Sequence, residues 1–257
     1  MDDEVVLAVE DLSVRFDGLR ALDGVSFEVR ARELRAVIGP NGAGKTTLFN
    51  AVSGEVDLER GRVTLLGADL TGRSPHHMRE AGLARGYQVP QVFGAMTVRE
   101  NLWVAAEAGT PTARKPFSSA RRLARGSDLV TEVCEAVGLA DVIDRQADEL
   151  SHADQKVLDI GIALALRPQV LLLDEPTQGV GPEEVTRIHE VIREATERTT
   201  VLMIEHNMQT VLSLADRVTV LNHGRVIAEG TPREMMDNAE VQAVYMGTRP
   251  SEDGGEA

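Results

Sequence analysis

The chain carries a single cysteine, Cys134, so no disulfide can form within it, which suits a reducing compartment. Cys134 falls in a helical apolar pattern and reads as a small buried residue. No C-x-x-C occurs, and none of the six histidines pairs at i, i+4 with a second ligand on a clear helix face, so a zinc site is not expected. No G-x-S-x-G serine elbow is present. No apolar run reaches 18 residues, so no segment reads as a membrane span. Lysine is scarce, confined to Lys45, Lys115 and Lys156, and 27 basic residues face 41 acidic ones. The net charge of −14 excludes a general nucleic-acid-binding surface. The opening Asp2-Asp3-Glu4 has no basic residue, against a secretory signal. The 257 residues suffice for one large α/β domain with an inserted subdomain.

What is present is a phosphate-binding motif. Gly39-Pro40-Asn41-Gly42-Ala43-Gly44-Lys45-Thr46 fits G-x-x-x-x-G-K-[ST] in full. The apolar run Leu34 to Ile38 before it reads as a buried strand, and Thr46-Thr47-Leu-Phe-Asn-Ala-Val52 after it as a helix. A glycine-rich turn between strand and helix gathers backbone N–H groups at a helix N-terminus, the arrangement that holds a polyphosphate. Lys45 is placed to reach the β- and γ-phosphates, and the Thr46 hydroxyl to ligate Mg²⁺.

A second apolar strand, Val170-Leu-Leu-Leu-Asp174-Glu175, ends in two carboxylates. A short continuous hydrophobic run is what a central parallel strand needs, and ligands bind at the C-terminal edges of such strands. Asp174 suits the Mg²⁺ shell, and Glu175 suits the orientation or deprotonation of an attacking water. Between the two motifs lies Leu150-Ser-His-Ala-Asp154, where Ser151 makes a good helix N-cap and Asp154, three residues on, supports a capping box.

In this order the motifs resemble the ATP-binding-cassette (ABC) ATPases, over about Val5 to Met246. The family signature reads L-S-G-G-Q. Here His152 and Ala153 stand for the glycines and Asp154 for the glutamine. The resemblance implies that Ser151 and Ala153 face a nucleotide held by a second cassette. It also implies that Gln88 is the glutamine that senses Mg²⁺ and the transport partner, that His206 is the switch histidine at the γ-phosphate, and that Phe16 stacks on adenine. The family's S-A-L-D run after the carboxylates is Gln178-Gly-Val-Gly181 here, without its aspartate. The fold implied is an α/β P-loop NTPase (ABC ATPase) with an N-terminal antiparallel β-layer and an inserted helical subdomain.

Residues 5–9 and 25–30 read as strands of that layer. Thr200 to Ile204 reads as a further strand, and 217–221 with 225–228 as a hairpin turning at Asn222-His-Gly224. Helical patterns at 98–106, 129–137 and 153–166 mark the inserted subdomain. The expected division is a core at 1–91 and 166–238, a helical subdomain at 92–165, and a tail at 239–257 whose end is disordered. Gly109 to Ser119 reads as a mobile loop, and Arg121, Arg122 and Arg125 as a basic spot that a solvated helix face explains, with contact to anionic lipid headgroups as the second reading.

Within the family the chain resembles the ATPase subunits of branched-chain (hydrophobic) amino acid importers. The matching details are Leu150-Ser-His, Val157-Leu-Asp-Ile-Gly161, Glu205-His206-Asn-Met208 and Val241-Gln-Ala-Val-Tyr-Met-Gly247. The resemblance implies ATP and Mg²⁺ as cofactors. It implies a second ABC ATPase subunit in a homo- or heterodimer, transmembrane permease subunits, an indirect solute-binding protein, and a peripheral place on the cytoplasmic face of the cell membrane. Urea and short-amide importers share many of these marks, and lipid export or a soluble assembly task are further readings.

Overall fold

The computed structural model of the protein describes residues 4–108 and 120–246. Its strands are β1 Val5–Phe16, β2 Leu19–Arg30, β3 Leu34–Ile38, β4 Arg60–Leu65, β5 Ala68–Asp69, β6 Leu83–Gly86, β7 Val170–Asp174, β8 Thr200–Ile204, β9 Arg217–Asn222 and β10 Arg225–Gly230. The helices are α1 Lys45–Val52, α2 Pro75–Glu80, α3 Val98–Ala108, α4 Ala120–Ala136, α5 His152–Ala165, α6 Pro182–Arg198, α7 Met208–Leu214, α8 Pro232–Asp237 and α9 Ala239–Met246. The expected loop at 109–119, the tail end at 251–257 and the side chains of Arg121, Arg122 and Arg125 lie outside the described residues.

A six-stranded sheet in the order β10-β9-β3-β8-β7-β6 forms the centre. β3 runs parallel to β8 and β9, and β7 parallel to β6 and β8, while β10 folds back antiparallel on β9. Strands β3, β7 and β8 are buried at every position. Their period-two alternation divides the core in two. Ala36, Ile38, Leu171, Leu173, Val201 and Met203 face the helical side. Val37, Leu172, Leu202 and Ile204 face α1 and the second sheet. Each Val, Leu, Ile or Met among them contributes roughly 1.5–3 kcal/mol relative to an exposed one.

That second sheet is antiparallel, in the order β2-β1-β4-β5. β1 and β2 extend well beyond the expected 5–9 and 25–30. Asp11 takes a left-handed φ of 49°, and register shifts flank Leu12, so the bulge resets which residues face inward. The alternation then resumes out of phase, which hides the rest of the strand from a pattern reading. The β9–β10 turn forms as expected, with His223 and Gly224 both at positive φ (47° and 75°).

On the other face α3, α4 and α5 pack together. Leu102 is fully buried, and a Cβ on Gly161 of α5 would stand 3.2 Å from its Cδ2, so the small residue sets the approach of the two helices. Val98 and Leu102 point inward, whereas Trp103 is 39 % exposed. Cys134 is buried, which pushes its thiol up to about 11. The first eight residues of the expected tail form α9.

Candidate active site

The loop from Gly39 to Gly44 joins β3 to α1. Gly42 and Gly44 have φ of 79° and 105°, left-handed values that glycine adopts without strain. A Cβ on Gly44 would come within 2.7 Å of the Ala21 carbonyl, and one on Gly39 within 2.1 Å of the Leu221 carbonyl. Gly42 has nothing within 4 Å, so the loop is walled on the protein side and open on the other. Gly44 caps α1 with no side-chain hydrogen bond, and the first turn holds no acid. A helix N-terminus left this way carries partial positive charge and free N–H donors, so the chemistry of the loop fits a polyphosphate.

Lys45 is buried, and its Nζ donates to the carbonyls of Gly39 (2.8 Å) and Pro40 (3.1 Å). Burial holds its ammonium below the ordinary lysine value, offset in part by Glu175 and Asp174. Thr46 is exposed at the start of α1, and Thr47 follows half-buried. Phe16 is 46 % exposed at the tip of the β1–β2 hairpin, five residues before Ala21.

Two side chains from separate parts of the chain meet at Glu175. Gln88 Nε2 donates to its Oε2 at 3.2 Å and also to Gln178 Oε1. His206 Nδ1 lies 3.5 Å from its Oε1. Glu175 takes φ 47°, a strained value for a side-chain-bearing residue, and its N–H is held by the Ile204 carbonyl at 3.0 Å. The fully buried Glu205 fixes the switch end. Its Oε1 accepts the Thr177 hydroxyl at 2.6 Å, and its Oε2 accepts the N–H groups of His206 and Asn207 at 3.1 and 3.3 Å.

Asp174 lies at the end of β7. Its Oδ2 accepts from Arg85 Nη2 at 3.0 Å, and among the described residues no hydrogen bond takes its Oδ1. Arg85 was not a candidate from the sequence. It leaves β6 beneath the site, donates to Asn50 and Ser53, stacks 4.9 Å over Tyr87, and keeps its Nε buried without a partner. An arginine in a four-residue strand buried at its three other positions and half-buried at this one was the available signal. Tyr245 was also missed. This residue of α9 lies beside the Gly39 backbone, and the desolvation of its hydroxyl there pushes it up to about 12. Among the described residues no group of three His, Cys, Asp or Glu side chains could hold a metal.

Ser151 and Ala153 stand apart from this cluster. Ser151 caps α5 by accepting the Asp154 N–H at 3.1 Å. The expected capping box is only half made. The Asp154 carboxylate takes the Ser151 hydroxyl at 2.9 Å rather than its backbone N–H, being one methylene shorter than a glutamate. Asp154 also pairs with Arg187 of α6, which donates to the Gly138 carbonyl at 2.9 Å. Ala153 is buried in the first turn of α5, where helical backbone accommodates its methyl. At the site of the missing aspartate, Gly181 caps α6, and its N–H donates to Glu184 at 2.9 Å.

Residues 22–178 match the family model of ABC transporters, and residues 225–250 match that of branched-chain amino acid ATP-binding cassette transporters. The high-affinity branched-chain amino acid transport ATP-binding protein LivG of Salmonella typhimurium is 38 % identical, covering 94 % of this chain and 98 % of its own. A probable LivG of Archaeoglobus fulgidus is 35 % identical over 96 % of this chain and 97 % of its own. Among solved structures, the ADP conformation of an ATP-binding cassette of an ABC transporter superposes with a TM-score of 0.80 at 31 % identity, covering 95 % of this chain and 99 % of that one. A nucleotide-free ATP-binding cassette gives 0.79 at 31 % identity, covering 94 % and 98 %. The chain therefore belongs to the ABC transporter family, with the cassette running from before the phosphate loop through the signature helix to the two carboxylates.

Proposed function

We propose that this chain is the ATP-hydrolysing subunit of an importer for branched-chain amino acids. The observation that carries the reading is the convergence of Gln88, Glu175 and His206 beside the Lys45 loop, in a chain whose relatives are transport ATP-binding proteins. Gly39 to Thr47 cradle the triphosphate, and Phe16 stacks on the adenine. A Mg²⁺ held by Thr46, Asp174 and Gln88 supplies charge neutralisation for the transferred phosphoryl group. Glu175 orients and deprotonates the attacking water, and Gln88 and His206 fix its carboxylate from two sides. Ser151 and Ala153 complete the site of a second cassette, homologous or identical. Permease subunits carry the solute path, and the chain binds their cytoplasmic face, as the kinship with transport ATP-binding proteins suggests; among the described residues no helix is long and apolar enough to cross a membrane. The core of this reading is 1–91 with 166–238, and the helical subdomain is 92–165.

The test is reconstitution with the permease subunits and solute-binding protein in vesicles. Leucine uptake driven by ATP is expected, and urea uptake in its place would move the solute class. Glu175→Gln should lower the hydrolysis rate by roughly 10²–10⁴-fold while leaving ATP binding intact. Wild-type turnover in that variant would remove Glu175 from the mechanism.

A further inference from the structure

The loop that carries Gln88 leaves the central sheet at Gly86 and enters the helical layer at α3, yet its backbone is held by the signature helix. Asp159 lies two turns into α5 and is 6 % exposed. Its Oδ2 accepts the Tyr87 N–H at 3.0 Å, and its Oδ1 accepts the Gln91 N–H at 2.9 Å. The two oxygens of one carboxylate thus close on both sides of Gln88. Lys156, three residues earlier on the same face of the helix, is equally buried and donates from Nζ to the Gln88 carbonyl at 3.1 Å. The fit is close on the strand side as well, since a Cβ on Gly86 would stand 3.3 Å from Asp159 Oδ2. Asp159, Lys156 and Asp174 line one small cavity, so the clamp reaches the floor of the site.

We propose that Asp159 is a positioning residue which, with Lys156, locks the Gln88 loop to the signature helix, so that seating α5 at Ser151 and placing Gln88 against Glu175 are one movement. The inference rests on the ATPase reading above and adds the link between its two ends. The mechanics are direct. A rigid helix carries Ser151 at its start and the loop clamp at its second turn. The Gln88 amide, on the other side of that loop, touches Glu175 and Gln178. Any displacement of α5 relative to β7 must therefore stretch or shorten the Gln88–Glu175 contact. The clamp is not a free gain for folding, because burial pushes the Asp159 carboxyl up to about 6 against two donors and Lys156 that favour its charge. Stability and function can for that reason be separated.

Asp159→Asn keeps the volume but leaves one acceptor, its amide NH₂ facing the second N–H. On the full chain with MgATP, the unfolding midpoint should hold or rise and the Kd for MgATP should stay within about twofold. The kcat should fall about 10-fold or more, as for a reacting group displaced by a fraction of an ångström. One of the Tyr87 and Gln91 amides should exchange with solvent about 10-fold faster. Asp159→Glu, which keeps both acceptors, should recover most of kcat. An unchanged kcat with a deprotected amide would overturn the proposal. So would a joint loss of midpoint, Kd and kcat, which marks a residue of purely structural role. A wild-type chain that turns over no ATP would sink the ATPase reading instead, and the amide exchange would still decide the clamp.

Discussion

The loop before α1 and the start of α5 both present a helix N-terminus, and they are finished in opposite ways. Gly44 caps α1 with left-handed backbone, no side-chain acceptor and no acid in the first turn. Ser151 caps α5 with a hydroxyl that accepts a backbone N–H, and Asp154 brings a carboxylate into the same turn. The first end leaves its donors and its partial charge to an anion. The second satisfies one donor internally and carries its own negative charge, balanced from outside by Arg187. A helix start becomes a strong anion site by what is left off it, and a weaker, adjustable one by what is added.

The sharpest way to break this contrast is Gly44→Ala. The new methyl would sit 2.7 Å from the Ala21 carbonyl and 2.9 Å from Leu22 Cδ2, at φ 105°. Strain of about 1–3 kcal/mol is expected, and relief by flattening the turn would withdraw the loop N–H groups. ATP affinity should fall roughly 100-fold by calorimetry, with a lowered melting temperature. Unchanged affinity would mean that the turn does not organise the donors.

A second measurement probes the charge on the α5 side. Asp159 has its carboxyl raised from 3.8 to about 6 by burial, against the lowering effect of the Gln91 and Tyr87 N–H groups and Lys156. A group raised in the folded state favours folding most below its unfolded value and loses that contribution as pH rises through its folded value. Stability should therefore decline between pH 4 and 6 by up to about 3 kcal/mol at 1.36 kcal/mol per pH unit. Urea unfolding across that window should show the decline in the wild type and lose it in Asp159→Asn. An equal slope in both would place the titration elsewhere.

These two sites differ just as much in how far the sequence discloses them. The Lys45 loop is eight consecutive residues whose backbone needs are written in its glycines, so strand, loop and helix were all legible. Glu175 was legible from an apolar strand that ends in two carboxylates, whereas Gln88 and His206 were legible only through the order of motifs, since a lone glutamine or histidine carries no such signal. Arg85, Asp159 and Tyr245 were not reached. Arg85 meets Asp174 across 89 positions and Asp159 meets Tyr87 across 72, and no local pattern encodes pairings of that range. The bulge at Asp11 hid half of β1 for the related reason that a single left-handed residue shifts the inward face.

The smallest expected effect tests the α5 start itself. In Proposed function, Ser151 faces a nucleotide held by a second cassette, yet here its hydroxyl is spent on Asp154 Oδ2 at 2.9 Å. Asp154→Gln removes one negative charge from the first turn, restores the residue of the family signature and frees the hydroxyl. A charge near a helix terminus at a partly exposed site is worth about 0.3–1 kcal/mol, so ATP-driven dimerisation should tighten by about 2–5-fold. The variant is best read in a Glu175→Gln background, where hydrolysis no longer drains the dimer, by sedimentation across an ATP titration. Arg187→Leu supplies the opposite arm. It removes the cation that balances Asp154 and should weaken the dimer by a similar factor. Movement of both variants in one direction would show that the Asp154 carboxylate does not face the shared nucleotide, and that this helix start only caps a helix.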